Sequence, residues 1–302
     1  MKKILLSAAL LLIVSHLHAP ANLPFVYRNF TQKLTRVIKD VLYGKLDEKK
    51  DIGFAEMQGH RASMEDAHHI ELKDNFAFFG LYDGHGGKDV ADFAADLLHL
   101  PLLYDFNYEY ASVPFALHES FLTTHNKLNK VSFNTQDQGC TALVACIHNN
   151  TLFVANAGDS RAVLCSAGKA IPLSTDHKPD RADEKKRIES LGGFVMNWGV
   201  PRVNGQLAVS RALGDKRLNP YVIPDPEITE RKLIAKDAFL ILACDGVWDV
   251  MDNQRAVNAV QESLKKNNND FNKAAEDLRD LAFQLSSTDN ISVIVINLNK
   301  FK

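Results

Sequence analysis

Short, nearly unbroken apolar runs punctuate the chain at Phe76–Tyr82, Thr141–Ile147, Thr151–Asn156, Ala162–Cys165, Phe239–Cys244 and Ile291–Leu298. Runs of this length, rich in β-branched and aromatic residues and bounded by polar turn formers, predict buried strands. Apolar positions recur at helical spacing over Lys88–Leu100, Pro114–Lys130, Arg181–Leu191, Arg255–Lys265 and Asn272–Leu285, which predicts helices with one apolar face. His148-Asn149-Asn150 and Ala157-Gly158-Asp159 join successive strands. Connections that short have no room for a crossover, so these strands pair antiparallel. Hairpin-linked strands with helices before and after them predict a layered α+β fold and argue against a doubly wound parallel sheet.

The N-terminus follows a different pattern. Lys2 and Lys3 precede the apolar run Ile4–Val14, and Ala19-Pro20-Ala21 follows it with small residues. The run is too short to span a bilayer but suits the core of a secretory leader. Residues 1–21 are therefore expected to be a signal peptide or an N-terminal anchor. The protein would then be exported or secreted, or membrane-anchored through this segment alone if it stays uncleaved, with a cytoplasmic location as the alternative. Residues 22–51 read as a helical connector. Phe30, Leu34, Val37, Ile38, Val41 and Leu42 recur at helical spacing before Gly44, and the charged run Asp47–Asp51 marks a surface turn. No Pro/Gly/Ser-rich linker and no repeat interrupts the rest, so one domain over 52–300 is expected.

Composition narrows the class. The chain has 302 residues, 46% of them hydrophobic and 24% charged, with 35 Lys+Arg against 37 Asp+Glu. These are globular averages, which excludes disordered and collagen-like classes. A net charge of −2 carries no footprint for nucleic acid. Cys140, Cys146, Cys165 and Cys244 lie in or beside apolar runs without Cys-x-x-Cys or zinc-site spacing, so they are expected to be packed thiols.

Acidic residues stand where the predicted strands end. Phe76–Tyr82 runs into Asp83-Gly84-His85-Gly86-Gly87, and Phe239–Cys244 runs into Asp245-Gly246. Asp289-Asn290 precedes the last strand, Asp159 follows Leu152–Gly158, and Glu65-Asp66 precedes the strand at 76. One Asp-Gly is an ordinary turn. Several carboxylates converging at the lip of an apolar core repel each other and lose hydration, unless polyvalent cations offset both penalties. All-oxygen ligation selects hard ions such as Mg2+ or Mn2+. Gly84 and Gly246, lacking a Cβ, let the backbone turn and present a carbonyl to a metal.

These residues also carry a resemblance. Arg61-Ala62-Ser63-Met64-Glu65-Asp66-Ala67-His68, Asp83-Gly84-His85-Gly86-Gly87, Gly139-Cys140-Thr141-Ala142 and Asn156-Ala157-Gly158-Asp159-Ser160-Arg161 occur in that order. They are followed by Asp176-His177-Lys178-Pro179, Leu207–Asp215, Ala243–Asp249 and Ser287-Thr288-Asp289-Asn290. In this order they resemble the signatures of the type 2C (PPM) metal-dependent protein serine/threonine phosphatases over roughly residues 52–298, and eight motifs in order are specific where any one is weak. The resemblance implies a four-layer α-β-β-α sandwich of two antiparallel sheets flanked by helices. It implies two Mg2+ or Mn2+ ions and a third, weaker one. Asp83 resembles the bridging carboxylate, Asp245 and Asp289 the remaining ligands of one ion, and Glu65 with the Gly84 carbonyl those of the second. Asp66 would orient metal-bound water, and Asp159 and Asp249 match positions of the third ion.

Phosphoserine and phosphothreonine proteins are the implied substrates, attacked directly by a metal-bridging hydroxide. Arg61 resembles the phosphate clamp and His85 the general acid for the departing serine or threonine oxygen. The segment Gly192–Gly199 occupies the place of a flap, in which Trp198 either contacts a phosphopeptide or packs onto the domain. A monomer is expected. Signatures of calcineurin-like, cysteine-dependent and aspartyl-phosphate phosphatases are absent from the sequence. The alternative reading is an inactive phosphatase-like binding or scaffold protein, which would be expected to lose carboxylates that this chain retains.

Overall fold

The computed structural model describes residues 48–73, 76–105 and 112–302. The expected leader and the connector helix at residues 30–42 lie outside the described residues. Among those described, no helix is long and apolar enough to cross a membrane.

Two five-stranded antiparallel sheets form the frame. The first runs Ile52–Met57, Ile291–Asn297, Asp237–Ala243, Arg161–Ser166, Lys169–Pro172 from edge to edge. The second runs Glu227–Lys232, Thr151–Ala157, Ala142–His148, Phe76–Tyr82, Ala67–Lys73. Helices Asn253–Lys266 and Phe271–Gln284 cover the outer face of the first sheet, where Val163, Ile241, Val293 and Val295 meet Val257, Val260, Ala274 and Leu278. Helices Asp89–Leu97 and Val113–Lys127 cover the second, where Phe78, Tyr82 and Val144 meet Val90, Ala94, Leu117 and Phe121. The alternate positions Leu164, Leu240, Leu242, Ile294 and Ile296 are equally buried. They face the other sheet, and Ile291–Asn297 packs against Phe76–Tyr82. A central strand here has two apolar faces, which is why it reads as a continuous apolar run rather than an alternation. Each Leu- or Ile-sized side chain so enclosed contributes about 1.5–3 kcal/mol. The fold is the layered α+β architecture that the apolar pattern predicts, in the four-layer form that the resemblance implies.

Most central strands and helices fall within two residues of their predicted spans. The segment Lys88–Leu100 departs from its prediction: it divides into Asp89–Leu97 and Leu100–Asp105, with His99 buried at the corner. Pro101 takes the second position of the new helix, where its missing N–H has no partner to lose. The charged run at 47–51, expected as a surface turn, instead forms a helical turn over Glu48–Asp51. Asp51 is buried and accepts a hydrogen bond from Asn297 Nδ2 at 2.8 Å. All four cysteines are buried free thiols, as their apolar settings predict.

Candidate metal centre and catalytic groups

Register determines which strand ends meet. In the second sheet Tyr82 lies opposite Ala67, Leu81 opposite Leu143, and Leu143 opposite Asn156. The residues just beyond these ends, Asp83, Asp66 and Asp159, therefore emerge from the same edge. In the first sheet Ala243 lies opposite both Val293 and Arg161, and Met57 opposite Ile291. That brings Asp245, Asp289 and the loop carrying Arg61 to one end as well. Two groups form, in each of which the ligand atoms lie within 4.8 Å of one another: Asp66, Asp83 and Cys244, and Asp83, Asp159 and Asp245. Asp83 belongs to both. Glu65, Asp249 and Asp289 stand outside these tight groups but border them.

Burial and mutual repulsion act on the cluster together. Burial, followed by the charges of Asp245, Asp66, Asp159 and Asp289, pushes the Asp83 carboxyl well above the usual range. Burial, Asp159 and Asp289 do the same to Asp245, and burial raises Asp249. Asp66 is almost fully enclosed, and burial moves it up to about 6. The Ser292 hydroxyl and Cys244 thiol lie beside Asp66, yet neither carboxylate oxygen closes a hydrogen bond of normal geometry. Orphaned, like-charged buried carboxylates are stable as anions only with cations among them. The donors are overwhelmingly hard oxygens, a set that suits Mg2+ or Mn2+.

Neighbouring polar groups hold the ligands in place. Thr141 N donates to the Asp83 carbonyl at 2.9 Å, and Asp83 N donates to Thr141 Oγ1 at 3.3 Å. Glu65 accepts from Ser63 Oγ at 2.8 Å and from Gly87 N at 3.2 Å. Asn290 ties three strands of loop together: its Nδ2 donates to the Gln58 and Ser63 carbonyls at 2.8 and 2.9 Å, while its Oδ1 accepts from Glu65 N at 2.8 Å. The sequence places Asn290 in a motif without revealing this bracing role.

His85 sits on the rim with its Nε2 against both oxygens of Asp215, at 2.9 and 2.8 Å. Burial alone would lower the imidazole; the Asp215 hydrogen bond and charge more than reverse this, and the net shift is upward. Gly139 makes the pairing possible, because a Cβ there would stand 2.0 Å from Asp215 Oδ2 and 2.6 Å from His85 Nε2. Asp215 is the main residue that sequence reasoning missed. It closes a recognised motif, but 130 residues separate it from His85.

Arg61 is brought to the cluster, where its Nη2 lies 2.5 Å from Asp289 Oδ2 while the side chain remains 58% exposed. Asp289, expected as a metal ligand, thus bonds to the expected phosphate clamp in this structure. Gly84 pairs with Cys140 in a short strand beside the cluster. On the flap, the hairpin Val195–Trp198/Val200–Val203 leaves Trp198 76% exposed, so its indole does not pack onto the domain. Among the other histidines, His60, His68 and His69 stack on Phe283, Phe54 and His99. His177 is buried against the Gly158 backbone.

Comparison with known proteins agrees with this architecture. The family model for protein phosphatase 2C matches residues 50–291. Probable protein phosphatase 2C 59 of Oryza sativa subsp. japonica is 42% identical over 253 residues, covering 82% of this chain and 76% of that protein. Protein phosphatase 2C 56 of Arabidopsis thaliana is 39% identical over 295 residues, covering 82% of this chain and 68% of its own length. The solved structure of a phosphatase from a pathogenic strain of Toxoplasma gondii shares the fold, with a TM-score of 0.74 at 24% identity over 81% of this chain and 91% of that one. The chain belongs to the protein phosphatase 2C family.

Proposed function

We propose that this protein is a Mg2+- or Mn2+-dependent phosphatase that removes phosphate from phosphoserine and phosphothreonine side chains of proteins by direct attack of water on phosphorus. The observation that carries this reading is Asp83, one carboxylate shared between two close groups of metal-ligating side chains and crowded by four other acids. Glu65, Asp83, the Gly84 carbonyl, Asp245 and Asp289 would hold two ions, with Asp66 orienting water beside them. Asp159 and Asp249 would serve a third. When bound, the ions supply an acidified water and offset the charge of the phosphoryl group.

The chain's own residues do the remaining work. Arg61 offers a planar fork to two phosphoryl oxygens, exchanging its contact with Asp289 for the substrate. Asp215 holds the His85 Nε2 proton, which leaves Nδ1 as the atom that hands a proton to the departing alkoxide. A serine or threonine alkoxide is a poor leaving group, so this transfer matters most for protein substrates.

The test is phosphate release from p-nitrophenyl phosphate and a phosphothreonine peptide with Mn2+, compared between the wild type and Asp83→Asn. The variant is expected to fold, to bind less Mn2+ and to lose activity by ~100-fold or more, beyond the loss typical of outer-shell partners. A well-folded wild-type sample that binds no Mn2+ and releases no phosphate would overturn the proposal.

A further inference from the structure

One cation of the protein's own already sits against the acidic cluster. Lys178 Nζ donates to Asp159 Oδ2 at 2.5 Å, and Asp159 is the carboxylate that joins Asp83 and Asp245 within 4.8 Å. The ammonium also feels the charges of Asp245 and Asp249. The backbone around it is latched in place. His177 N donates to the Gly158 carbonyl at 2.9 Å, Gly158 N donates to His177 Nδ1 at 3.1 Å, and Ser210 N donates to the His177 carbonyl at 2.9 Å. Lys178 and Asp159 therefore leave neighbouring points of one knot, one residue beyond His177 and one beyond Gly158. The Lys178 side chain is 37% exposed and that of Asp159 only 4%, so the ammonium covers the carboxylate from the solvent side.

A divalent ion shared by Asp159 and its neighbours needs the lone pairs that this ammonium uses, and two cations at one carboxylate oxygen repel each other. We propose that Lys178 is a tethered counter-cation that competes with a divalent ion for the Asp83–Asp159–Asp245 arm and so sets how weakly that ion binds. The inference rests on the metal-dependent reading above and adds to it a residue that is no ligand yet controls ligand availability. On this account the lysine compensates the arm while the ion is away and swings toward solvent when it arrives. The flexible four-carbon stem permits that movement.

The experiment is calorimetric titration of the full chain with Mn2+, supported by electron paramagnetic resonance counting of bound Mn2+. It compares the wild type, Lys178→Met, Lys178→Arg and Lys178→Met/Asp159→Asn. Lys178→Met keeps the stem and removes the charge, and is expected to tighten the weakest Mn2+ site about tenfold or more while leaving the tighter sites in place. Lys178→Arg keeps the charge and should keep the site weak. Adding Asp159→Asn to Lys178→Met should abolish the gain. If Lys178→Met fails to fold, Lys178→Gln carries the same expectation, since it donates a hydrogen bond without a charge. Unchanged Mn2+ isotherms in folded Lys178→Met or Lys178→Gln, with an active wild type, overturn the lysine's role and leave the phosphatase reading standing. A wild type that binds no Mn2+ and releases no phosphate overturns both.

Discussion

His85 and Asp215 show how one residue pair divides a catalytic task. Both oxygens of Asp215 face the imidazole Nε2, so the carboxylate fixes the ring and favours its protonated form. A general acid must carry its proton, so activity falls as pH rises through its pKa. Asp215→Asn removes the charge that raises that pKa, and the alkaline limb of the kcat–pH profile is expected to move to lower pH. An unmoved limb would assign Asp215 a purely structural part. His85→Ala should reduce turnover of a phosphothreonine peptide by roughly 100-fold or more and that of p-nitrophenyl phosphate far less, because p-nitrophenolate departs without a proton. Equal losses on the two substrates would remove the acid role. Residues of this site differ in how legible they are in sequence. Asp83 and Asp245 are visible because each directly follows a long apolar run. Asp215 is hidden because it follows the two-residue strand Leu213–Gly214, in a left-handed backbone conformation with φ of 47°. Nothing local in its sequence signals that its partner lies on another loop.

At the scale of elements, burial on two faces made the central strands readable, and its absence hid the edges. Glu227–Lys232 reads Glu-Ile-Thr-Glu-Arg-Lys and forms one edge of the second sheet. Ala67–Lys73, with two histidines near its start, forms the other. Edge strands carry charge and break the apolar pattern, which protects against pairing with other chains and leaves little periodicity to find. The flap hairpin is largely apolar in sequence yet mostly solvent-exposed, and its strands are visible only in the structure. Gly53 marks a tight contact that the sequence leaves unexplained. A Cβ there would stand 1.8 Å from the Phe271 carbonyl oxygen and 2.8 Å from Asn272 Cα, so the strand Ile52–Met57 and the start of helix Phe271–Gln284 touch backbone to backbone. Gly53→Ala should push the helix off the sheet and destabilise the fold by about 1–3 kcal/mol, as overpacking does in close-packed interiors. Urea denaturation is the measurement, with a lower midpoint at unchanged slope expected. A midpoint equal to wild type would mean that the helix start yields freely.

For the whole molecule, the carboxylate cluster sets a stability that depends on pH and on metal together. Asp66 rises from 3.8 to about 6 on folding, and Asp83, Asp245 and Asp249 rise as well. A carboxyl whose folded pKa lies above its unfolded value binds its proton more tightly in the folded state. In chelator-treated protein its contribution is therefore favourable at low pH and is lost as pH rises, for Asp66 between about 4 and 6. The buried and half-buried histidines act with the opposite sign. His68, His69, His99, His125 and His177 are all lowered, with burial the largest cause in each, so they withdraw stability as pH falls below about 6.5. Their contribution is common to the metal-free and metal-loaded protein, and it drops out of the difference between the two. That difference isolates the cluster: Mn2+ binds the ionised carboxylates of the folded state and stabilises it by mass action. The expected result is a rise in Tm on adding Mn2+ that is large at pH 7.5 and shrinks as pH is lowered toward 4, where protons replace the ions. Thermal melts across that range, with and without chelator, measure it. An increment independent of pH would place the ions away from these acids.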